Sequence, residues 1–184
     1  MDDPRIKLII REENGGYGRT LQTAIEHVTG DIYGILDSDD AIRNDALEIM
    51  TKKHLENPEC GLIYSQYMIC DNNLKKVKKG DCTPIPPGIT WLDAMLSKRR
   101  PKLRVSHFKT FRKRDYDKTD GFHDLRRTVD KDIVLKLEEV TKLLFVNEVL
   151  YYYRIHPQCI SRSKKTHPFG SIVMTNAIER RKSK

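Results

Sequence analysis

Apolar and polar positions fall into short blocks along the chain. Residues 5–10 hold Ile6, Leu8, Ile9 and Ile10 and predict a buried strand. Asn14-Gly15-Gly16-Tyr17-Gly18 follows, a glycine-rich turn whose backbone can lie close to a ligand. Over residues 20–28, Leu21, Ala24, Ile25 and Val28 recur at spacings of three and four, the pattern of a one-faced helix, and Gly30 ends it. Residues 32–36 form an apolar run that predicts an interior strand. That run stops abruptly at Asp37-Ser38-Asp39-Asp40.

A second helix opens at Arg43 or Asn44, has Ala46, Leu47, Met50 and Leu55 spaced for one face, and closes at Asn57-Pro58. Residues 62–69 predict a strand, and Asp71-Asn72-Asn73 a turn. Residues 75–87 are basic and proline-rich and predict a loop, and residues 91–96 a short helix. Residues 105–112 alternate as a strand, and Asp120-Gly121 marks a turn. Residues 130–139 read as a helix with Ile133, Val134 and Leu137 inward. Two strands are predicted at 143–146 and 149–153, and a terminal helix at 172–181. Strand and helix alternate in the first half, so the predicted class is α/β, a mostly parallel central sheet flanked by helices.

Composition narrows the class. A chain of 184 residues, 38% hydrophobic and 33% charged, suits one globular domain. No apolar run approaches the roughly 20 residues that cross a bilayer. Met1-Asp2-Asp3-Pro4 lacks the basic-then-apolar order of a signal peptide, so a cytoplasmic location is expected. Cys60, Cys70, Cys82 and Cys159 are widely spaced, with no CxxC pair, which points to reduced thiols. The net charge of +8 admits a polyphosphate ligand, an anionic membrane surface at the inner face, or nucleic acid. The basic groups cluster at Lys75–Lys79, at 98–104 and at the tail, without the interleaved aromatics of an RNA-binding sheet, so no nucleic-acid partner is predicted.

The candidate chemistry sits at the acidic run. An apolar strand delivers Asp37, Asp39 and Asp40 to its carboxyl end, where open α/β sheets bind ligands. Adjacent carboxylates repel unless a cation or water meets them, and hard divalent cations take oxygen ligands. The alternative is an acidic strand-to-helix turn, with Asp40 capping the next helix.

Four segments resemble one family in its order. Residues 30–40, Gly-Asp-Ile-Tyr-Gly-Ile-Leu-Asp-Ser-Asp-Asp, resemble the "G-D-Y-I-x-x-L-D-x-D-D" stretch of family 2 glycosyltransferases. Asn14-Gly15-Gly16 resembles the family's "N-x-G" loop. Gly121-Phe122-His123 with residues 130–137 resembles "G-F-D … E-D-x-D-L-x-L-R-L", and residues 153–161 resemble "Y-R-x-H-x-x-S-x-S". The resemblance implies a GT-A-like fold and transfer of a sugar from a nucleotide-diphosphate sugar to an acceptor hydroxyl. It implies Mg²⁺ or Mn²⁺ on Asp37, Asp39 and His156, and a catalytic base at Asp130. Val129 replaces the usual glutamate of that motif and leaves Asp132 as a competing base. Donor contacts are expected from Asn14, Gly16, Asp37 and Arg154, with Arg127 and Lys164 as further cations for the diphosphate. The plain alternative for His156 is a hydrogen-bonded histidine in the turn before Pro157.

Residues 1–161 are thus expected to be a partial domain of this type, and 162–184 a basic tail with a helix. The family's first strand, its "P-x-Y-N" turn and second strand have no counterpart, so an N-terminally truncated sheet with an open edge is expected. That edge offers pairing to a second copy, and the basic clusters offer peripheral contact with an anionic membrane. The acceptor, a saccharide or a lipid-linked saccharide, is expected near residues 83–87 and 107–124. A non-catalytic binding or assembly module derived from such an enzyme is the alternative function.

Overall fold

The computed structural model describes residues 3–97, 103–125, 127–159 and 169–183. Within them the chain forms α1 (Gly16–Ile25), β1 (Ile32–Gly34), β2 (Ala41–Ile42), α2 (Ala46–Glu56), β3 (Cys60–Cys70) and β4 (Lys76–Lys79). It continues through α3 (Trp91–Leu96), β5 (Lys109–Arg112), α4 (Lys113–Tyr116), α5 (Val129–Glu138), β6 (Lys142–Arg154) and α6 (Phe169–Lys182).

The sheet order is β1-β5-β3-β6-β2, with β4 also on β3. The long ladder, β3 on β6, is parallel. The short ladders, β1 on β5, β5 on β3, β4 on β3 and β2 on β6, are antiparallel. The α/β class holds, but the sheet is mixed rather than mostly parallel. Periodicity reports which strands are buried and says little about the direction of two- to four-residue strands. Even so, β1, β3 and β6 run the same way, because β5 lies antiparallel between β1 and β3. Their carboxyl ends therefore point the same way, and β5 starts beside the end of β1. No helix among the described residues is long and apolar enough to cross a membrane.

β3 and β6 make the centre. Leu62, Ile63, Leu150 and Tyr151 are fully buried, and Phe111 of β5 joins them. α5 lays Ile133, Leu135 and Leu137 onto the core. Burying a side chain of that size contributes about 1.5–3 kcal/mol. α6 brings Val173 and Ala177 to the same core. Its basic end is anchored: Arg180 lies 2.8 Å from Glu139, and Arg181 2.9 Å from Glu138. Glu138 also accepts N–H bonds from Trp91 and Leu92 at the start of α3, which has its own capping box of Thr90 and Asp93. One carboxylate therefore ties the ends of α3, α5 and α6 together.

Several expectations are corrected. Residues 5–10 pair with no strand among the described residues. Leu8 and Ile10 are 81% exposed, because an apolar run becomes a strand only where a neighbour accepts its backbone hydrogen bonds. The first helix begins earlier and ends at Ile25, ahead of Gly30. The loop at 75–87 contains β4, whose four residues are all exposed. The two late strands are one, β6, with register shifts against β3 between Ser65 and Tyr67. The strand predicted at 105–112 is confined to β5. Lys164 and the 98–102 part of the basic cluster lie outside the described residues.

Candidate functional site

Asp37 follows β1 by three residues and sits half-buried at the sheet's carboxyl end. The Tyr17 phenol, from the first turn of α1, donates to its carboxylate. Burial raises the Asp37 carboxyl above its ordinary pKa, while the Tyr17 hydrogen bond and the Lys109 charge oppose that rise. Asp130, on the first turn of α5, adds to the same field, and the Lys109 ammonium lies 4.0 Å from it. The Tyr17 hydroxyl is pushed well above its usual range by burial, with Asp37 and Asp130 adding to the effect. Tyr17, Asp37, Lys109 and Asp130 therefore act on one another across four separate elements.

The rest of the acidic turn divides its work. Asp39 faces His156, with Nε2 2.8 Å from Oδ2. This contact raises the His156 pKa, and Gln158 Oε1, 3.1 Å from Nδ1, raises it further. Asp40 turns inward. It accepts the Tyr151 hydroxyl at 2.7 Å and the Arg154 backbone N–H at 2.7 Å. Its pKa is raised by burial, against both hydrogen bonds. α2 begins only after Asp45, so Asp40 binds the end of β6 and does not cap that helix. Tyr151 completes the clamp by accepting the Asp37 N–H at 3.3 Å.

Asp130 and Asp132 face different surroundings. The Asp130 side chain is 48% exposed at the helix N-terminus, where the dipole favours a carboxylate. Asp132 is 1% exposed, 2.9 Å from the Lys136 ammonium and 3.2 Å from His123. Lys136 is itself buried and also meets Asp120 at 2.8 Å and the Gly121 carbonyl at 2.6 Å. This inner network fixes the 120–123 loop on α5. Val129, in the place of the family glutamate, is in the core at 1% exposure.

At the other rim, Asn14 Oδ1 accepts the Gly16 N–H at 3.0 Å and shapes the entry to α1. Gly16 has φ +77° with open space where a Cβ would stand, so the backbone there is accessible. α1 is pinned to the 120–125 loop by Arg19 to Asp124 at 2.7 Å and Gln22 to the Phe122 carbonyl at 2.7 Å. Arg154 is half-buried, and its Nε has no partner among the described residues.

Asp37 and Asp130 thus share one neighbourhood, and Asp39 and His156 form an adjoining pair. Asp132 faces inward, onto the buried Lys136. Sequence reasoning singled out neither Tyr17, Lys109 nor Tyr151. Their signal was absent because tyrosine on a helix start and lysine on a strand are ordinary residues until the fold converges them. The donor set fits a divalent cation. Asp39 Oδ2 and His156 Nε2, at 2.8 Å, lie close to the ~3 Å edge between neighbouring ligands about 2.1 Å from one ion.

Comparison with known proteins identifies the family. The family model described as glycosyl transferase family 2 matches residues 2–133. Chondroitin synthase of Pasteurella multocida (strain Pm70) is 30% identical over 156 residues, covering 84% of this chain and 15% of that protein. Hyaluronan synthase of Pasteurella multocida matches with the same figures. Chondroitin synthase of Escherichia coli is 28% identical over 162 residues, covering 88% of this chain and 22% of that protein. The chain thus spans only 15% to 22% of the length of these relatives. Among solved structures, S. aureus TarS 1-349 in complex with UDP superposes with a TM-score of 0.61 at 16% identity, over 95% of this chain and 54% of TarS 1-349. That likeness speaks for the fold, which is of the GT-A kind.

Proposed function

Because the chain belongs to glycosyl transferase family 2, we propose that it transfers a sugar from a nucleotide-diphosphate sugar to an acceptor hydroxyl, with a divalent cation and inversion at the anomeric carbon. The observation that supports this reading is the meeting of Asp37 and Asp130 around Lys109 and Tyr17 at the carboxyl end of the sheet.

Mg²⁺ or Mn²⁺, held by Asp39 and His156 with Asp37 beside them, would supply charge neutralisation for the departing diphosphate. The chain's own groups do the rest. Tyr17 holds the Asp37 carboxylate in one orientation. The Arg154 guanidinium, with an unpartnered Nε, offers donors to phosphate oxygens. The Gly16 backbone lets the nucleotide approach α1 closely, and Asn14 sets that backbone. Asp130 accepts the proton of the acceptor hydroxyl as its oxygen attacks. The Lys109 ammonium, 4.0 Å away, helps to hold the Asp130 side chain in place. Asp132, already engaged by Lys136, orients the helix start.

UDP is the first nucleotide to test, since TarS was solved with it. The names of the relatives make a saccharide acceptor, free or lipid-linked, the first acceptor class. Calorimetric titration of the chain with UDP, with and without Mn²⁺, tests the reading. Binding that needs the cation and is lost in Asp39→Ala supports it. Binding indifferent to both overturns it. Cation-dependent binding without transfer by any pairing of donor and acceptor supports the binding-module alternative.

A further inference from the structure

We propose that Cys159 joins Asp39 and His156 as a third donor, so that this site takes a thiophilic divalent cation of the zinc class in preference to Mg²⁺. The inference rests on the reading of Asp39 and His156 as a cation-binding pair.

The donor atoms of Asp39, His156 and Cys159 all lie within 4.8 Å of one another. No other group of three such residues meets that measure among the described residues. The sulfur is placed by the chain itself. The His156 backbone N–H points at Sγ from 3.2 Å, and the Cys159 N–H returns to the His156 carbonyl at 3.2 Å. The turn at 156–159 is therefore closed around the thiol, which is 8% exposed. A tetrahedral ion with bonds of about 2.0–2.3 Å keeps its donors about 3.3–3.8 Å apart.

The surroundings also suit a softer ion. Gln158 Oε1 lies 3.1 Å from His156 Nδ1 and can accept a hydrogen bond from its N–H, which leaves Nε2 as the ligand nitrogen. Such an outer partner fixes the ring and raises its basicity. One carboxylate, one imidazole and one thiol make a mixed O, N, S set. Thiolate ligands select zinc-class ions, whereas Mg²⁺ prefers an all-oxygen shell with water. Three protein donors leave a fourth position open to water or to a phosphate oxygen. A zinc-class ion here would also staple the 156–159 turn to the acidic turn that follows β1.

The test uses the whole chain and CoCl₂ as a spectroscopic stand-in for Zn²⁺. The expected result is a near-ultraviolet sulfur-to-cobalt charge-transfer band that saturates at one equivalent and is displaced by ZnCl₂ but not by excess MgCl₂. Cys159→Ser removes the band and weakens Zn²⁺ binding by more than about tenfold, beyond the smallest loss seen for outer-partner changes. Cys82→Ser, at a buried thiol outside the cluster, keeps the band and serves as the folded control. A wild-type cobalt complex without the band overturns the proposal, as does a band that survives Cys159→Ser or vanishes in Cys82→Ser. Mn²⁺-dependent UDP binding by the wild-type chain is scored separately. If it is present without the cobalt band, the sulfur ligand fails and the transferase reading stands. If the band forms without any UDP binding, the transferase reading fails.

Discussion

The Tyr151 hydroxyl donates a 2.7 Å hydrogen bond to the Asp40 carboxylate and, in the same position, receives the Asp37 N–H. Tyr151 belongs to β6, the longest strand, and its ring is fully buried. The acidic turn is thereby fastened to the most secure part of the sheet. Tyr151→Phe is expected to lower unfolding stability by about 1.5–3 kcal/mol, the range for a hydrogen bond to a charged group. Asp40→Asn should cost less when added to Tyr151→Phe than alone. A double-mutant cycle by denaturant unfolding measures that coupling.

Asp130 and Asp132 separate by experiment. Asp130→Asn should abolish sugar transfer and leave the melting temperature within a few degrees of wild type, since its side chain is half exposed. Asp132→Asn should instead destabilise the fold by about 3 kcal/mol, the scale for breaking a buried ion pair, because it weakens the hold on the buried Lys136 charge. Thermal melts and transfer assays on both variants give opposite patterns. A well-folded but inactive Asp132→Asn would reverse the assignment of the base.

Gly18 is buried where α1 crosses the 120–125 loop. A Cβ there would stand 2.5 Å from the His123 carbonyl oxygen, which is backbone and cannot swing away. Gly18→Ala is expected to cost about 1–3 kcal/mol, as overpacking does. It should also shift Tyr17, its neighbour in sequence, and so weaken nucleotide binding. Denaturant titration and calorimetry check the two effects independently.

His54 and His107 set an acid limit. Burial pushes the His54 pKa down to about 4, helped by Arg112, and the His107 pKa down to about 3, helped by Lys109. His107 is stacked on Tyr151 with ring centroids 4.5 Å apart. Both imidazoles are neutral when folded and take protons at about pH 6.5 when unfolded. Their contribution is complete above that pH and is lost as pH falls towards 4. Each group adds a slope of up to about 1.4 kcal/mol per pH unit in that window. His54→Gln should show a shallower fall in stability between pH 6.5 and 4.5 than wild type, measured by urea unfolding at each pH. An unchanged slope would count against a neutral His54.

Much of this was legible in the sequence. The apolar run ending at Asp37, the helices α2, α3 and α5, and the acidic start of α5 follow from local spacing, and they appear close to where spacing puts them. β4 was hidden because Lys76–Lys79 carries only one apolar residue, and its strand form comes from hairpin pairing with β3. Residues 5–10 misled in the opposite sense: their apolar character is local, whereas a strand is a relation between two segments. The site shows the same division. Asp37, Asp39, Asp130 and His156 lie in segments that resemble family motifs. Tyr17 and Lys109 take their meaning from neighbours 20 or more residues away, and Cys159 takes its from Asp39 across the fold, and no local pattern encodes that.

β1 has three residues and one neighbour, β5, and the carboxylates hang from its end. Among the described residues its outer side carries no ladder. Were so short a ribbon to fray, its amide protons would exchange early, and only the Tyr151 clamp would hold the Asp37 backbone. Ligand affinity is then scaled by the fraction of time that the ribbon is zipped. A strand laid along that bare side would raise this fraction and tighten binding without touching the ligand.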